Sequence, residues 1–407
     1  MNKKTSQGGL FISPSSSLGG AERVLLDNLR SWKTGDLGPI PEVAFVEDGP
    51  LINIIKNMGF QVRWIPISKA LLRIGDSPAR SENKLIRFLN RLGAFPFFLL
   101  TIIKWRYFLK KFRPAWIHSN GFKSHLLSSW ASEKNQVIFW HLHDFVSGRS
   151  LMKKLLVNAW RPGISALAIS DAVAEDFHKH VPMCPVKVWK NTVNFEKFNV
   201  GLPEVERLDL LSKAVSGNKV CRVGLVASYA RWKGHDVFIN AARLLQGSHI
   251  SFHFYIVGGP IYQSDGSQWS QADLEKLVNK LGLRTSVSFI PFQENSEWVY
   301  RSLDIVVHAS IRPEPFGLVI AEAMACGVSV VAALHGGAAE IGEDGVHCLG
   351  HIPGDPNSLA NAIQKLANDD VLRIRLCNKA LEHVAKTFDA NQNPTRWMSL
   401  MKEVICF

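Results

Sequence analysis

The stretch DIVVHASIRPEPFGLVIAEAMACG, residues 304–327, decides how this sequence folds. It opens on an apolar run short enough for a buried strand, ending near Ser310, and continues into an apolar segment of helical length. The turn between them carries Arg312 and Glu314. Pro315 suits the first turn of a helix, where its missing N–H removes no bond, so the helix is expected over 315–325. The amides of Phe316, Gly317 and Leu318 then form its positive end, a ready site for a phosphate. Gly317 has no side chain to block close approach. Glu314 and Glu322 are eight residues apart, which along a helix separates them by roughly 12 Å. That is the scale of a sugar and a ribose flanking a pyrophosphate, whose hydroxyls two carboxylates could accept hydrogen bonds from.

Outward from this stretch the same rhythm recurs. Short apolar runs at 10–13, 42–46, 61–67, 115–119, 136–143, 166–170 and 186–190 read as strands, with helical patterns such as 21–32 and 150–160 between them. Residues 199–218, with Gly201, Pro203 and Gly217, break the rhythm and read as a linker. Strands then resume at 220–227, 250–257, 287–291, 305–309, 328–333 and 346–349, with helices near 234–245, 270–281 and 356–367. Such alternation argues for parallel sheets covered by helices. The expected organisation is α/β: residues 1–200 as one doubly wound domain, 201–218 as linker and 219–387 as a second. The final segment, about 388–407, is expected to pack back on the first.

At 407 residues with 46% hydrophobic and 20% charged side chains, the chain can bury two cores and has the balance of a soluble globular protein. The six cysteines (184, 221, 326, 348, 377 and 406) show no metal-ligand spacing, which suits reduced, buried thiols. The N-terminus lacks the apolar core of a signal peptide, so a cytoplasmic location is expected. Charge is uneven. Residues 1–200 hold 28 Lys and Arg against 14 Asp and Glu, whereas the rest hold 19 against 21. The first half should therefore meet an acidic partner. Lys84, Arg87, Arg91, Lys104, Arg106, Lys110, Lys111 and Arg113 surround an apolar run at 94–103, a pattern suited to a helix lying on an anionic membrane or to a domain helix with a wet basic side. The run is too short to span a bilayer. No basic–aromatic motif for nucleic acid accompanies the charge.

Glu314–Glu322 matches the E-x(7)-E motif of retaining glycosyltransferases of the GT-B fold, and the sequence resembles glycosyltransferase family 4 (glycosyl transferases group 1). The resemblance implies two Rossmann-like domains facing a cleft. It implies that Glu314 contacts the donor sugar, that the amides of Phe316, Gly317 and Leu318 hold the pyrophosphate, and that Glu322 binds the ribose. Gly336, Gly337, Glu340 and Asp344-Gly345 resemble the family's glycine-rich loop and following turn. In LVASYARWKG, residues 225–234, Lys233 fits the family's phosphate-neutralising lysine. The usual arginine position holds Ser228, which leaves Arg231 as the candidate. SSSLGGAER, residues 15–23, resembles the G-G-A-E loop that closes over the donor phosphates, through Gly19 and Gly20. FWHLHD, residues 139–144, places His143 where the family carries an active-site histidine, with His141 as second candidate and Asp144 as a partner to orient the ring.

What the resemblance implies is a hexosyltransferase acting with retention. It would move sugar from a nucleoside diphosphate donor to a glycan or lipid-linked acceptor in cell-surface polysaccharide or glycoconjugate synthesis. A non-catalytic sugar-nucleotide-binding subunit and a GT-B phosphorylase or epimerase are the competing readings. No D-x-D motif occurs. Helix amides and Lys233 would supply the positive charge, so neither metal nor cofactor is expected.

Overall fold

The computed structural model describes residues 8–17, 19–67, 84–212, 220–260 and 267–405. Two compact units emerge: Met1–Thr192 with Ala390–Phe407, and Val193–Asp389.

The first unit is built on seven strands, β1 (Leu10–Ser13), β2 (Glu42–Phe45), β3 (Val62–Trp64), β4 (Trp116–Asn120), β5 (Val137–Leu142), β6 (Ile164–Ala168) and β7 (Val186–Val188). They lie in the order β3-β2-β1-β4-β5-β6-β7, every pairing parallel. The second unit has six: β8 (Val220–Val226), β9 (Ser251–Val257), β10 (Val287–Ile290), β11 (Ile305–His308), β12 (Ser329–Ala332) and β13 (Leu349–Gly350). Their order is β10-β9-β8-β11-β12-β13, again all parallel. The central strands are buried on both faces (all of β1, β4, β11 and β12), which is why they read as unbroken apolar runs. In each sheet the order reverses beside the first strand, between β1 and β4 and between β8 and β11. Ligands of such sheets bind where the order reverses, outside the carboxyl ends of the strands.

The expected linker is not a simple tether. Its residues Val205–Ser212 form a helix, with Leu208 fully buried and the Glu204 amide donating to Ser302 Oγ at 2.9 Å. Its remainder, 213–218, lies outside the described residues. The helix Asn393–Ile405 belongs to the first unit. Trp397 enters an aromatic cluster there, 5.4 Å from Trp32, 5.9 Å from Trp116 and 5.0 Å from Trp189, and its indole N–H donates to Asn28 Oδ1 at 3.1 Å. The cysteines at 184, 221, 326, 348 and 377 are free thiols, and burial pushes Cys184, Cys221, Cys326 and Cys348 up to about 12. Cys406 lies outside the described residues.

Trp397→Ala should cost the first unit about 3–5 kcal/mol, read as a lowered denaturant midpoint. A loss below about 1 kcal/mol would show that the terminal helix is not held by this cluster.

Candidate functional site

In the second unit, β11 ends at His308, and the next six residues carry the chain to Glu314. That carboxylate is buried, with 9% of its side chain exposed, and it is surrounded by donors. Lys233 Nζ stands 2.9 Å from Oε1 and 2.8 Å from Oε2. Ser310 Oγ donates to Oε2 at 2.9 Å, and His308 Nε2 lies 3.0 Å from the same oxygen. Burial opposes ionisation of Glu314, but the Lys233 ammonium and the His308 contact outweigh it and hold the carboxyl well below its usual range. Lys233 reaches the site from a single 3-10 turn, Arg231–Lys233, after β8.

The helix expected over 315–325 starts later, at Leu318. Gly317 sits at φ 101° as its N-cap, a left-handed conformation that no helix can run through. Residues 314–316 instead lie against the turn after β12: Glu314 N–H donates to His335 O at 3.0 Å and Gly337 N–H to Glu314 O at 2.7 Å. A Cβ on Gly337 would sit 2.2 Å from Pro315 O, so this approach requires glycine. The roughly 12 Å helical spacing of Glu314 and Glu322 therefore does not apply. The helix N-terminus itself has no side-chain cap, and its first amides find no acceptor within the helix. Phe316 is buried, 5.7 Å from the Phe388 ring. Glu322 is also buried and accepts a hydrogen bond from the Tyr300 hydroxyl at 2.7 Å.

Arg231 does not join Lys233 at Glu314. It is exposed, and its guanidinium lies 3.8 Å over the Trp269 ring. Sequence reading missed His308, Ser310 and Tyr300. The first two had a usable signal, since strand residues two apart share a side.

In the first unit, the helix Gly20–Thr34 follows β1 with Gly19 as N-cap and no side-chain cap. Gly20 is exposed, and a Cβ there would meet nothing within 4 Å. Glu22 in this first turn is pushed up to about 7, chiefly by burial, against hydrogen bonds from the Glu22 and Gly19 amides. Near neutral pH it is therefore not a full negative charge beside an anion-favouring helix end.

His143 follows β5 directly. Asp144 does not orient it: its Oδ1 accepts from the Phe145 amide at 2.8 Å and its Oδ2 from Arg149 at 2.6 Å. The partner is Asn120, the last residue of β4, whose Oδ1 pairs with His143 Nε2. Asn120 is buried, and its Nδ2 donates to Ala21 O at 3.3 Å. Because Ala21 O can only accept, the Asn120 oxygen must face the ring, so His143 Nε2 carries the hydrogen and Nδ1 is left as an acceptor. One amide thus ties the histidine to the start of the Gly19–Gly20 helix. His141 is fully buried, with its ring 4.2 Å from that of His143 and 5.0 Å from that of His118. Burial holds His141 well below its ordinary range and lowers His118 and His143 to about 3. His118 and His141 are neutral core residues.

At neutral pH, nitrogen NMR should show His143 as the Nε2–H tautomer, and Asn120→Asp should raise its pKa by at least about one unit. An Nδ1–H ring, or an unmoved pKa in that variant, would contradict the assignment.

Residues 213–383 match the family model of the glycosyl transferases group 1. The D-inositol 3-phosphate glycosyltransferase of Corynebacterium jeikeium is 37% identical over 172 residues, covering 40% of this chain and 39% of that protein. Its counterpart in Corynebacterium glutamicum is 33% identical over 190 residues, 45% of this chain and 43% of that one. The chain thus spans less than half the length of the curated relatives it matches. Among solved structures, Anabaena Alr3699/HepE in complex with UDP-glucose superposes with a TM-score of 0.79 at 23% identity, covering 97% of this chain and 99% of that one. WaaG, a glycosyltransferase involved in lipopolysaccharide biosynthesis, superposes at 0.66 and 16% identity, over 96% and 99%. These likenesses establish the fold. The chain has the GT-B fold, and the likeness of its residues 213–383 is to the glycosyl transferases group 1.

Proposed function

We propose that this chain transfers a glycosyl group from a nucleoside diphosphate sugar to a glycan or lipid-linked acceptor, with retained anomeric configuration. It would do so without a divalent metal, peripherally at the inner face of a membrane, in cell-surface polysaccharide or glycoconjugate synthesis. The observation that carries the reading is the Glu314 carboxylate, kept ionised by Lys233, His308 and Ser310 beside an uncapped helix N-terminus. An ionised carboxylate accepts hydrogen bonds from sugar hydroxyls, and the amides of Phe316, Gly317 and Leu318 suit the diphosphate. Lys233 already touches the carboxylate, so a diphosphate bound there would share its charge. Glu322 would take the ribose.

In the transfer, the acceptor oxygen forms a bond to the anomeric carbon as the bond to the diphosphate oxygen breaks. The departing diphosphate takes the acceptor proton. Negative charge grows on that leaving group, where Lys233 and the helix end lower the barrier most. Gly19 and Gly20 supply a second helix N-terminus for phosphate. His143, with Nδ1 left as acceptor, positions a sugar hydroxyl. Arg231 serves the diphosphate only if it leaves Trp269.

Turnover should be screened over a panel of nucleotide sugars that includes UDP-glucose, with inositol phosphate and glycan acceptors. The expected result is transfer that survives chelator, gives product of the donor's anomeric configuration, and falls about 10²–10³-fold in Glu314→Ala. Restoration by magnesium or manganese after chelation would overturn metal independence. Nucleotide-sugar binding with no turnover would favour a binding subunit, and phosphate-dependent release of sugar phosphate a phosphorylase.

A further inference from the structure

The helix Lys84–Phe112 has two apolar sides, and the fold accounts for only one. Trp105 is fully buried and Leu109 nearly so, and Phe98 packs edge-on against Trp130 at 5.3 Å. On the opposite side Leu100, Ile103 and Tyr107 are 63%, 63% and 71% exposed. At 100° per residue these three fall within one narrow stripe directly opposite Trp105. Lys104 and Lys111 flank it along one edge and Arg106 and Lys110 along the other, all exposed. Phe97 and Leu99 extend the apolar surface and are half exposed. No aspartate or glutamate occurs anywhere from residue 83 to 132.

Among the described residues no helix is long and apolar enough to cross a membrane. An apolar ridge between two rows of cations fits a surface that is oily beneath and anionic above. It suits nucleic acid poorly, because phosphates would meet the cations while the aliphatic ridge gained nothing.

We propose that this helix face is a membrane-docking surface. Leu100, Ile103 and Tyr107 enter the headgroup–acyl boundary of an anionic bilayer while Lys104, Arg106, Lys110 and Lys111 pair with lipid phosphates. The inference rests on the peripheral placement proposed above and names the surface responsible. It does not depend on the sugar chemistry.

The test is sedimentation of the full chain with vesicles of phosphatidylcholine alone or mixed with phosphatidylglycerol. Binding is expected only to the mixed vesicles, weakening with salt. Lys104→Glu/Lys111→Glu should weaken it by more than about tenfold, since each cation near the surface contributes about fivefold. Leu100→Asp/Ile103→Asp should abolish it. Both variants alter exposed positions and should keep the wild-type melting temperature and turnover on a soluble acceptor, so loss of docking and loss of activity are read separately. The proposal is overturned if neither vesicle binds, if neither variant changes binding, if neutral vesicles bind equally well, or if the two variants lose random oligonucleotides but not vesicles.

Discussion

The second unit's site depends on keeping one carboxylate charged where water scarcely reaches it. Leaving Glu314 unpaired in its buried position would be strongly destabilising, or the group would simply take up a proton. Lys233, His308 and Ser310 prevent both outcomes by occupying its two oxygens with donors. Three loops must meet for this, those following β8, β11 and β12. The tight approach of Gly337 to Pro315 fixes the last of them. The parallel sheet supplies the geometry, because its order reverses between β8 and β11 and so opens the crevice there.

The first unit uses the same device with different chemistry. Its order reverses between β1 and β4, and there Asn120 joins the Gly19–Gly20 helix to His143 through a single side-chain amide. An amide is neutral and has a fixed donor side and acceptor side. It can therefore set a tautomer without adding charge, which a carboxylate such as Asp144 could not do. Asp144 is instead spent on Arg149 and its own loop.

Much of this was legible in the sequence. Each of the thirteen strands among the described residues overlaps an expected run, β13 at Leu349 alone. The central strands announce themselves as apolar runs because both faces are buried, whereas β3 and β7 are largely exposed. The loop residues stood in two particular strings, Lys233 in residues 225–234 and Glu314 and Gly317 in residues 304–327. The misreadings have local causes. Pro315 is welcome in a first helical turn, but Gly317 in a left-handed conformation and the pairing of 314–316 with the next loop outvote that preference. Residues 205–212 looked like linker beside Gly201 and Pro203, yet Leu208 is buried. Asn120 was invisible because its partners lie 99 and 23 residues away. Tyr300 was hidden for the same reason, 22 residues from Glu322. The outward ridge of the helix Lys84–Phe112 could not be told from its inward one until burial separated them.

The proposed function divides the donor between two side chains, Lys233 for the diphosphate and Glu314 for the sugar. Calorimetric titration of wild type, Lys233→Met and Glu314→Gln with a nucleoside diphosphate and with its sugar conjugate tests it most directly. Lys233→Met should weaken both ligands by about tenfold or more. Glu314→Gln should leave diphosphate binding intact or strengthened while removing the extra affinity that the sugar contributes. Diphosphate binding indifferent to Lys233, or a sugar contribution that survives Glu314→Gln, would contradict it.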